Sequence, residues 1–369
     1  MRIQKIALNG FRNYEWETAD FSEDTNIITG ENAQGKTNLL EAVCLLSCGK
    51  SFRTRTDREM VGFDFSEAEI LAEVFSHGRE QTVRIRLCPG QAKRITVNGV
   101  KKTASELSET LNVVLFCPDD LNLIKDGAAV RRRMMDQAVS QIRPKYAQLL
   151  TEFNRLYEHK TRILKDWKEK PSILETLDAF SDALCRVSAQ LIRYRACYVS
   201  LLNDTVVPIH ETFSGSGEKL SLLYRTVSTV RDPFGPAKEI YYDLCDHQER
   251  HRQAELDSQT CLTGAHKDDI EISVNGKAAR SYASQGQIRT AALSIKLAER
   301  EIILQETGEY PILLLDDVLS ELNEKRQEFV LNRIGGGQTL ITCCADEGIS
   351  GRTGGKVFSV EGGKIRTCT

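Results

Sequence analysis

The residues best placed to do chemistry form a glycine-rich loop near the N-terminus. Residues 30–37 read GENAQGKT, the spacing G-x-x-x-x-G-K-[ST], between an apolar strand at residues 26–29 and a predicted helix that starts at Lys36. The glycines let backbone N–H groups wrap around phosphates, Lys36 neutralises the β- and γ-phosphate oxygens, and the Thr37 hydroxyl binds Mg²⁺ at the helix N-terminus. The loop therefore predicts binding of ATP and Mg²⁺ through Gly30, Glu31, Asn32, Ala33, Gln34, Gly35, Lys36, Thr37 and Asn38.

A second chemical element lies far downstream. Residues 311–317 read PILLLDD, an apolar strand that ends in two carboxylates. We expect Asp316 to hold the Mg²⁺ and Asp317 to orient or deprotonate the attacking water, which makes Asp317, with Lys36, a candidate catalytic residue. The alternative is a core strand capped by two surface acids, and the glycine-rich loop favours the metal site over it.

The distance between these two elements indicates an insertion. About 280 residues separate Lys36 from Asp316, whereas a compact kinase or GTPase completes its site within one small domain. Within this interval, residues 281–287 read SYASQGQ and precede an amphipathic helix predicted at residues 288–305. A serine followed by a glycine at the start of a helix marks either a second helix N-terminus that binds an anion or a plain N-cap. Together the three elements match an architecture in which two heads face each other and share ATP.

The elements that must position these residues divide into three regions. Residues 1–130 read as strands and turns around one long helix, with an Asn-Gly hairpin at Asn98, and a second such hairpin follows at Asn275. Apolar residues at residues 149–164 and in a four-three alternation at residues 173–201, separated by Pro171, predict an antiparallel helical arm rather than an interchain coiled coil. A charged helix is predicted at residues 237–256. We expect an N-terminal lobe at 1–130, an inserted arm at 131–255 and a C-terminal lobe at 256–369.

Composition narrows the class of protein. The net charge is −3, and the eleven cysteines include no C-x-x-C pair, so we expect reduced cysteines, most of them in the core, including Cys44, Cys117, Cys185, Cys343 and Cys344. The first residues alternate like a strand and no long apolar run follows, so we expect a cytoplasmic protein that does not use a membrane.

Local clusters of basic residues indicate binding to a polyanion, although the chain as a whole has a net negative charge. Residues 79–102 contain seven basic residues and one acid. They form either a phosphate-facing patch or an ordinary solvated sheet face. Further basic residues that we expect to contact DNA phosphates are Arg131, Arg132, Arg133, Lys160, Lys165 and Lys168.

These motifs resemble those of the SMC and ABC-type ATPases. Several longer stretches of the sequence resemble the RecF family in particular. The stretches that carry the resemblance span almost the whole chain: NGFRNY at 9–14, GENAQGKTNLLEA at 30–42, GKSFR at 49–53, FCPDDL at 116–121, TGAHKDD at 263–269, SYASQGQ at 281–287 and LLLDDVLSEL at 313–322. The fold it implies is α/β: a P-loop ABC/SMC-type ATPase head, with a mixed sheet and a flanking antiparallel sheet, plus an inserted helical arm domain.

The resemblance also implies a mechanism. In an ATP-dependent homodimer, Ser284, Gly286 and Gln287 of one subunit approach the γ-phosphate held by the other, which would give Ser284 a catalytic role. Arg12 is similar to a family arginine near the nucleotide, and residues 320–322 resemble a loop that couples the two sites. The implied activity is a weak, DNA-stimulated ATPase that binds gapped or junction DNA in recombinational repair, with RecR and RecO as partners in loading RecA.

Some positions depart from the family pattern. Asn323 stands where aspartate is usual, Ala128 or Ala129 where proline is usual, and Ala265 where proline is usual. The loop at residues 118–119 has no glutamine at the Q-loop position, and residues 341–344 include no switch histidine. Two other classes stay open at this point. They are a structural or transport ATPase of SMC type without a repair role, and a P-loop kinase of a small molecule.

Overall fold

The computed structural model describes residues 1–54, 56–214, 217–345 and 348–368, with side chains at all of these except 121 and 321. The strands are β1 Arg2–Phe11, β2 Tyr14–Asp20, β3 Thr25–Thr29, β4 Ala68–Ser76, β5 Arg79–Leu87, β6 Arg94–Val97, β7 Val100–Lys102, β8 Val113–Phe116, β9 Leu220–Arg225, β10 Asp269–Val274, β11 Lys277–Ala278, β12 Ile312–Asp316, β13 Thr339–Cys343, β14 Lys356–Glu361 and β15 Lys364–Cys368. The helices are α1 Lys36–Cys48, α2 Ala128–Ile142, α3 Pro144–Asp166, α4 Leu177–Ser214, α5 Ala237–Ser258, α6 Ala279–Tyr282, α7 Gln285–Thr307, α8 Glu324–Arg333 and α9 Ile349–Thr353.

The chain forms two compact units. Unit 1 comprises Met1–Asn122, Thr212–Ser214 and Arg289–Thr369, and unit 2 comprises Leu123–Glu211 and Gly215–Ile288. The second boundary differs from the one expected between residues 255 and 256. The reason is strand pairing: β10 pairs with β9 along its whole length, which ties residues 269–274 to unit 2.

Unit 1 contains two six-stranded sheets. The first has the order β15-β14-β3-β13-β12-β8, in which β14, β3, β13, β12 and β8 run parallel and only β15 is antiparallel. The second, β2-β1-β4-β5-β6-β7, is antiparallel. Helix α1 contacts strands of both sheets and is buried on nearly all sides, as expected of a helix with apolar residues around its circumference.

The two Asn-Gly hairpins form as predicted. The β6–β7 turn has φ of 51° at Asn98 and 79° at Gly99, and the β10–β11 turn has φ of 52° at Asn275 and 72° at Gly276. Two successive positive φ values define the turn that matches the twist of an antiparallel pair.

The helices of unit 2 also match the predicted pattern, with one extension. Helix α3 includes the first predicted arm segment, α4 covers the second from Leu177 onward after a 3₁₀ turn at Pro171–Thr176, and α5 matches the predicted charged helix. Helix α4, however, continues through Pro208 to Ser214, although proline normally ends or kinks a helix. Val206 and Ile209 are buried on either side of the proline, so the apolar face continues past it. Residues 215 and 216 of the predicted loop lie outside the described part of the chain.

A buried ionic network holds unit 2 together. Arg195 on α4 is only 2% exposed, and its guanidinium lies 2.6 Å from the carboxylate of Asp268 and 2.8 Å from that of Asp136. The same guanidinium donates to the carbonyl oxygen of Ala265 at 2.6 Å and to the hydroxyl oxygen of Tyr146 at 2.9 Å. The stretch at residues 263–269 is therefore fixed to α2, α3 and α4 through one arginine.

Candidate functional site

The glycine-rich loop joins β3 to α1 in a conformation that needs its glycines. Gly30 has φ of 147° and Gly35 has φ of 125°, and Ala33 between them is also left-handed at 65°. A Cβ on Gly30 would lie 2.3 Å from the carbonyl oxygen of Val360 on β14. Any side chain at residue 30 would therefore displace the loop from the sheet edge.

Neighbouring segments brace this loop. The side chain of Asn13 donates to the carbonyl oxygen of Gln34 at 2.8 Å, and the Tyr14 hydroxyl donates to that of Gly35 at 2.9 Å. On the other side, the backbone N–H of Gly362 donates to Oε1 of Gln34 at 2.6 Å. Glu31, Asn32 and Ala33 at the tip of the loop are exposed. The contacts that hold the shape of the loop are therefore the hydrogen bonds to Gln34 and Gly35 at its base.

Lys36 lies inside the curve of the loop. Its ammonium donates to the carbonyl oxygens of Gly30 at 2.5 Å and Glu31 at 2.8 Å, and the residue is only 6% exposed. A lysine ammonium has three donors and carries a full positive charge. It is therefore positioned to bind an anion that the loop surrounds.

The two predicted metal ligands meet at the carboxyl end of the parallel sheet. The Thr37 hydroxyl donates to Oδ1 of Asp316 at 3.0 Å, although the two residues are far apart in sequence. They meet because β3 and β12 both pair in parallel with β13, which brings the ends of these strands to one edge. Hydroxyl and carboxylate oxygens are the ligands that Mg²⁺ prefers, so these two residues fit the predicted ion.

A third side chain, which sequence analysis did not identify, completes this site. The Thr342 hydroxyl donates to Oδ1 of Asp316 at 2.8 Å and accepts the backbone N–H of Asp317 at 2.9 Å. Burial raises the pKa of Asp316 above its ordinary value, and the hydrogen bonds from Thr342 and Thr37 partly offset this effect. The available signal was a polar residue at the carboxyl end of the strand next to β12.

Asp317 has an unusual backbone. Its φ is 52°, rare for a residue with a side chain, and its carbonyl oxygen accepts a hydrogen bond from the Ser320 hydroxyl at 2.8 Å. Such strained conformations cluster at functional sites. The structure thus places Asp317 directly after the predicted metal ligand Asp316, and its role toward water stays a prediction. The side chain of Glu321 in the predicted coupling loop lies outside the described residues.

Arg12 and Asn38 also lie in unit 1 beside the loop. Arg12 is left-handed with φ of 56°, and its guanidinium forms two hydrogen bonds to the carboxylate of Glu41 on α1, at 2.6 and 2.8 Å. The Asn38 amide donates to Oδ1 of Asn13 at 2.7 Å. Contact of either residue with a nucleotide remains a prediction.

The three predicted signature residues belong to unit 2. Ser284 is exposed and directly precedes α7, where its Oγ accepts the backbone N–H of Gln287 at 3.2 Å. In return, Oε1 of Gln287 accepts the backbone N–H of Ser284 at 2.8 Å, the reciprocal pair of a capping box. Ser284 is thus an N-cap, and its hydroxyl hydrogen is available to an anion because the cap uses only the oxygen. Gly286 lies in the first turn of the same helix.

The loop at the Q-loop position has an ion pair instead of a glutamine. Lys296 on α7 is buried, and its ammonium lies 3.6 Å from Asp120 and 3.2 Å from Glu299. Burial lowers the pKa of Lys296, but the two carboxylates outweigh this effect and raise it. The ion pair between Asp120 and Lys296 therefore connects this loop to α7. The side chain of Leu121 in the same loop lies outside the described residues.

The predicted basic patch forms a continuous surface. Arg84 on β5 pairs across the sheet with Thr96, and Thr96 pairs with Lys101, while Arg86 pairs with Arg94. Directly paired residues share a face, so four cations lie together on the outer face of β5–β7. Arg84, Arg86 and Arg94 also line a cleft of about 360 Å³. Glu69 on β4 is a neighbouring carboxylate, bonded to Arg86 and 3.9 Å from Arg84.

Two of the other predicted DNA contacts, Lys160 and Arg131, are wrong, whereas Lys165 and Lys168 are exposed. Lys160 is fully buried, with its ammonium 2.8 Å from the carboxylate of Glu255. Arg131 is 5% exposed and lies 2.6 Å from Asp269. Both cations neutralise acids inside unit 2, because a buried carboxylate needs a partner of opposite charge. Arg133 is exposed as expected.

The cysteines follow the prediction only in part, since four of the eleven are buried and Cys117 is half-buried. All eleven lie within the described residues and are free thiols. Cys44, Cys185 and Cys343 are buried, but Cys344 is exposed because it follows the last residue of β13. Its thiol lies 3.3 Å from Oδ1 of Asn32 at the tip of the glycine-rich loop. Within the described ranges, no helix has the length and apolar character needed to cross a bilayer.

Known proteins match the chain over its full length. The family model described as RecF/RecN/SMC N terminal domain matches residues 2–356. Proteins named DNA replication and repair protein RecF are similar: that of Lachnospira eligens is 37% identical over 99% of both chains, and that of Listeria monocytogenes is 38% identical over 99% of this chain and 100% of its own.

Solved structures match as well. One described as the recombination mediator protein RecF-ATPrS in the RecFOR pathway has a TM-score of 0.92, with 32% identity over 100% of this chain and 98% of its own. An SMC head bound to the C-winged helix domain of ScpA, 17% identical with a TM-score of 0.58 over 100% of this chain and 98% of its own, shares the fold. The predicted head fold is confirmed, and the chain belongs to the RecF family of DNA replication and repair proteins, within the wider RecF/RecN/SMC group.

Proposed function

We propose that this chain is an ATP-dependent DNA-binding clamp of recombinational repair. ATP binding dimerises two copies on gapped or junction DNA, and hydrolysis to ADP and phosphate releases them, as a weak, DNA-stimulated ATPase in the cytoplasm. RecR and RecO are the proposed partners in promoting RecA loading. The observation that carries the proposal is the hydrogen bond of 3.0 Å between Thr37 and Asp316, which joins the glycine-rich loop to the carboxylate strand.

The residues of unit 1 have separate tasks in this proposal. Lys36 and the loop N–H groups hold the phosphates, while Thr37 and Asp316 hold Mg²⁺. The ion, once bound, neutralises charge on the phosphate oxygens. Asp317 orients the attacking water or accepts its proton.

The signature residues supply the link between copies. Ser284 is exposed, keeps a hydroxyl hydrogen to donate, and precedes a helix whose N-terminus carries partial positive charge. In the proposed dimer, Ser284, Gly286 and Gln287 of one copy contact the γ-phosphate bound to the other. ATP then stabilises the dimer because it binds the paired state better than the separate chains.

Light scattering with and without ATP and gapped DNA tests this proposal. We expect wild type to dimerise only with ATP, Lys36→Arg and Ser284→Arg to stay monomeric, and Asp317→Asn to remain dimeric because hydrolysis is blocked. Gly335→Arg, at an exposed glycine with open space around it and no left-handed backbone, is a control that should behave as wild type. A monomer under every condition contradicts the clamp and favours a kinase of a small molecule instead.

The outer face of β5–β7 is the proposed DNA surface. Four cations lie together on this face, Arg84, Arg86, Arg94 and Lys101, and the carboxylate of Glu69 pairs with Arg86. Sequence-independent binding to phosphates needs such a surface and is sensitive to salt.

Salt titration of DNA binding tests this surface. The double variant Arg84→Glu/Arg94→Glu should reduce the slope of log affinity against log salt by about 2, since each phosphate contact contributes about 0.9. Arg231→Glu, at an arginine whose side chain is 88% exposed in unit 2, is the control. An unchanged slope in the double variant assigns DNA binding to another surface.

A further inference from the structure

Glu41 is a buried carboxylate that the proposed mechanism does not use. It lies on α1 and is fully buried. Two N–H groups of Arg12 donate to it at 2.6 and 2.8 Å, the Ser51 hydroxyl donates to Oε1, and Arg53 lies 3.7 Å from Oε2. Two separate segments of unit 1, one with Arg12 and one with Ser51 and Arg53, therefore converge on one acid of α1.

The charges around Glu41 do not cancel. One carboxylate faces the guanidinium groups of Arg12 and Arg53, so the group keeps a net positive charge. Without the acid, two arginines this close would repel each other. The side chain of Arg12 is 17% exposed and that of Arg53 is 45% exposed, so both retain access to solvent while Glu41 has none.

Hydrogen bonds connect this group to the glycine-rich loop. Arg53 donates to Oδ1 of Asn38 at 2.6 Å, and the Asn38 amide donates to Oδ1 of Asn13 at 2.7 Å. Asn13 in turn donates to the carbonyl oxygen of Gln34.

Arg12 is held in place by more than its side chain. Its backbone N–H donates to the carbonyl oxygen of Met60 at 2.9 Å, and its guanidinium also donates to the carbonyl oxygen of Glu59 at 2.6 Å. With its left-handed φ of 56°, the residue is fixed in one orientation. The guanidinium has five N–H donors, so bonds to Glu41 and Glu59 leave others for a ligand.

We propose that Glu41 is a positioning residue that gathers Arg12 and Arg53 at the phosphate end of α1, where their guanidinium groups bind the oxygens of a nucleoside triphosphate. This inference rests on the proposed function. Glu41 itself touches no substrate, because it is enclosed by the groups that it orients.

Binding of ATP with Mg²⁺ to the full chain, measured by titration calorimetry, tests this role. We expect Glu41→Gln to weaken ATP binding at least tenfold, because the neutral amide cannot hold two guanidinium groups. Glu73→Gln, at an exposed acid on β4, is the matched control and should bind as wild type. Wild-type affinity in Glu41→Gln, or an equal loss in Glu73→Gln, overturns the proposal.

A double-mutant cycle separates positioning from a general loss of stability. If Glu41 acts through Arg12, the loss from Glu41→Gln should be much smaller in an Arg12→Gln background, and additive losses overturn the proposal. If Glu41→Gln does not fold, Glu41→Asp replaces it, and we expect the retracted carboxylate to weaken ATP binding several-fold. Unchanged affinity in Glu41→Asp overturns the inference. A wild type that binds no ATP refutes the proposed function itself.

Discussion

The Arg195 network allows a quantitative prediction. Arg195→Met removes the guanidinium that lies 2.6 Å from the fully buried Asp268 and 2.8 Å from Asp136. Removing one partner of a buried ion pair costs about 3–5 kcal/mol, because it leaves a charge without compensation. We expect the free energy of unfolding of unit 2 to fall by about this amount near neutral pH.

The loss should depend on pH in a defined direction. Burial raises the pKa of Asp268, and the positive charge of Arg195 opposes that shift. Without Arg195 the pKa of Asp268 rises further. A carboxyl whose pKa is higher in the folded state stabilises that state at low pH, and this contribution is lost as the pH rises. The deficit of Arg195→Met should therefore grow with rising pH and shrink on acidification.

Urea unfolding followed by tryptophan fluorescence measures this effect. The chain has two tryptophans, Trp16 in unit 1 and Trp167 in unit 2, so a Trp16→Phe background reports on unit 2 alone. Arg225→Met is the matched control, since Arg225 forms an exposed pair with Glu271 whose loss should cost about 0–1 kcal/mol. Equal deficits for Arg195→Met at about pH 5.5 and about pH 8 would refute the reasoning.

Other predictions concern the site and the second buried pair. Gly30→Ala should abolish ATP binding in calorimetry, since its Cβ would lie 2.3 Å from a backbone oxygen, whereas Gly127→Ala, with nothing within 4 Å, should bind normally. Lys160→Met leaves the buried Glu255 without its ammonium and should lower the free energy of unfolding by about 3–5 kcal/mol; an unchanged urea midpoint contradicts this. Because burial raises the pKa of Asp316, acidification should weaken Mg²⁺-dependent ATP binding before it weakens Mg²⁺-free binding, and parallel pH profiles contradict this.

Local signals predicted much of the structure. The glycine-rich loop, the strand before Asp316 and the Asn-Gly turns each depend on residues next to one another in sequence, and all formed as expected. A turn that needs two left-handed residues is visible in the sequence because asparagine and glycine adopt that conformation most easily.

Long-range contacts account for the features that were missed. Thr342 contacts Asp316 in the candidate metal site only through the parallel pairing of β12 with β13. Lys160 and Arg131 looked like solvated cations because their acidic partners, Glu255 and Asp269, are about 95 and 138 residues away in the chain. Helix α4 continues past Pro208 because its buried face extends on both sides of the proline. The local preference of proline to end a helix takes no account of such packing.

The position of β3 has a consequence for synthesis on the ribosome. This strand carries the glycine-rich loop, but its neighbours in the sheet are β13 and β14 from the end of the chain. Roughly 310 residues separate it from β13, so at about 5–20 residues per second the strand waits roughly 15 s to a minute for a partner. During that time both of its edges carry unpaired N–H and C=O groups, which invite association with other chains. We therefore expect β3 to remain open to association with other nascent chains for longer than a strand whose partner is close in sequence.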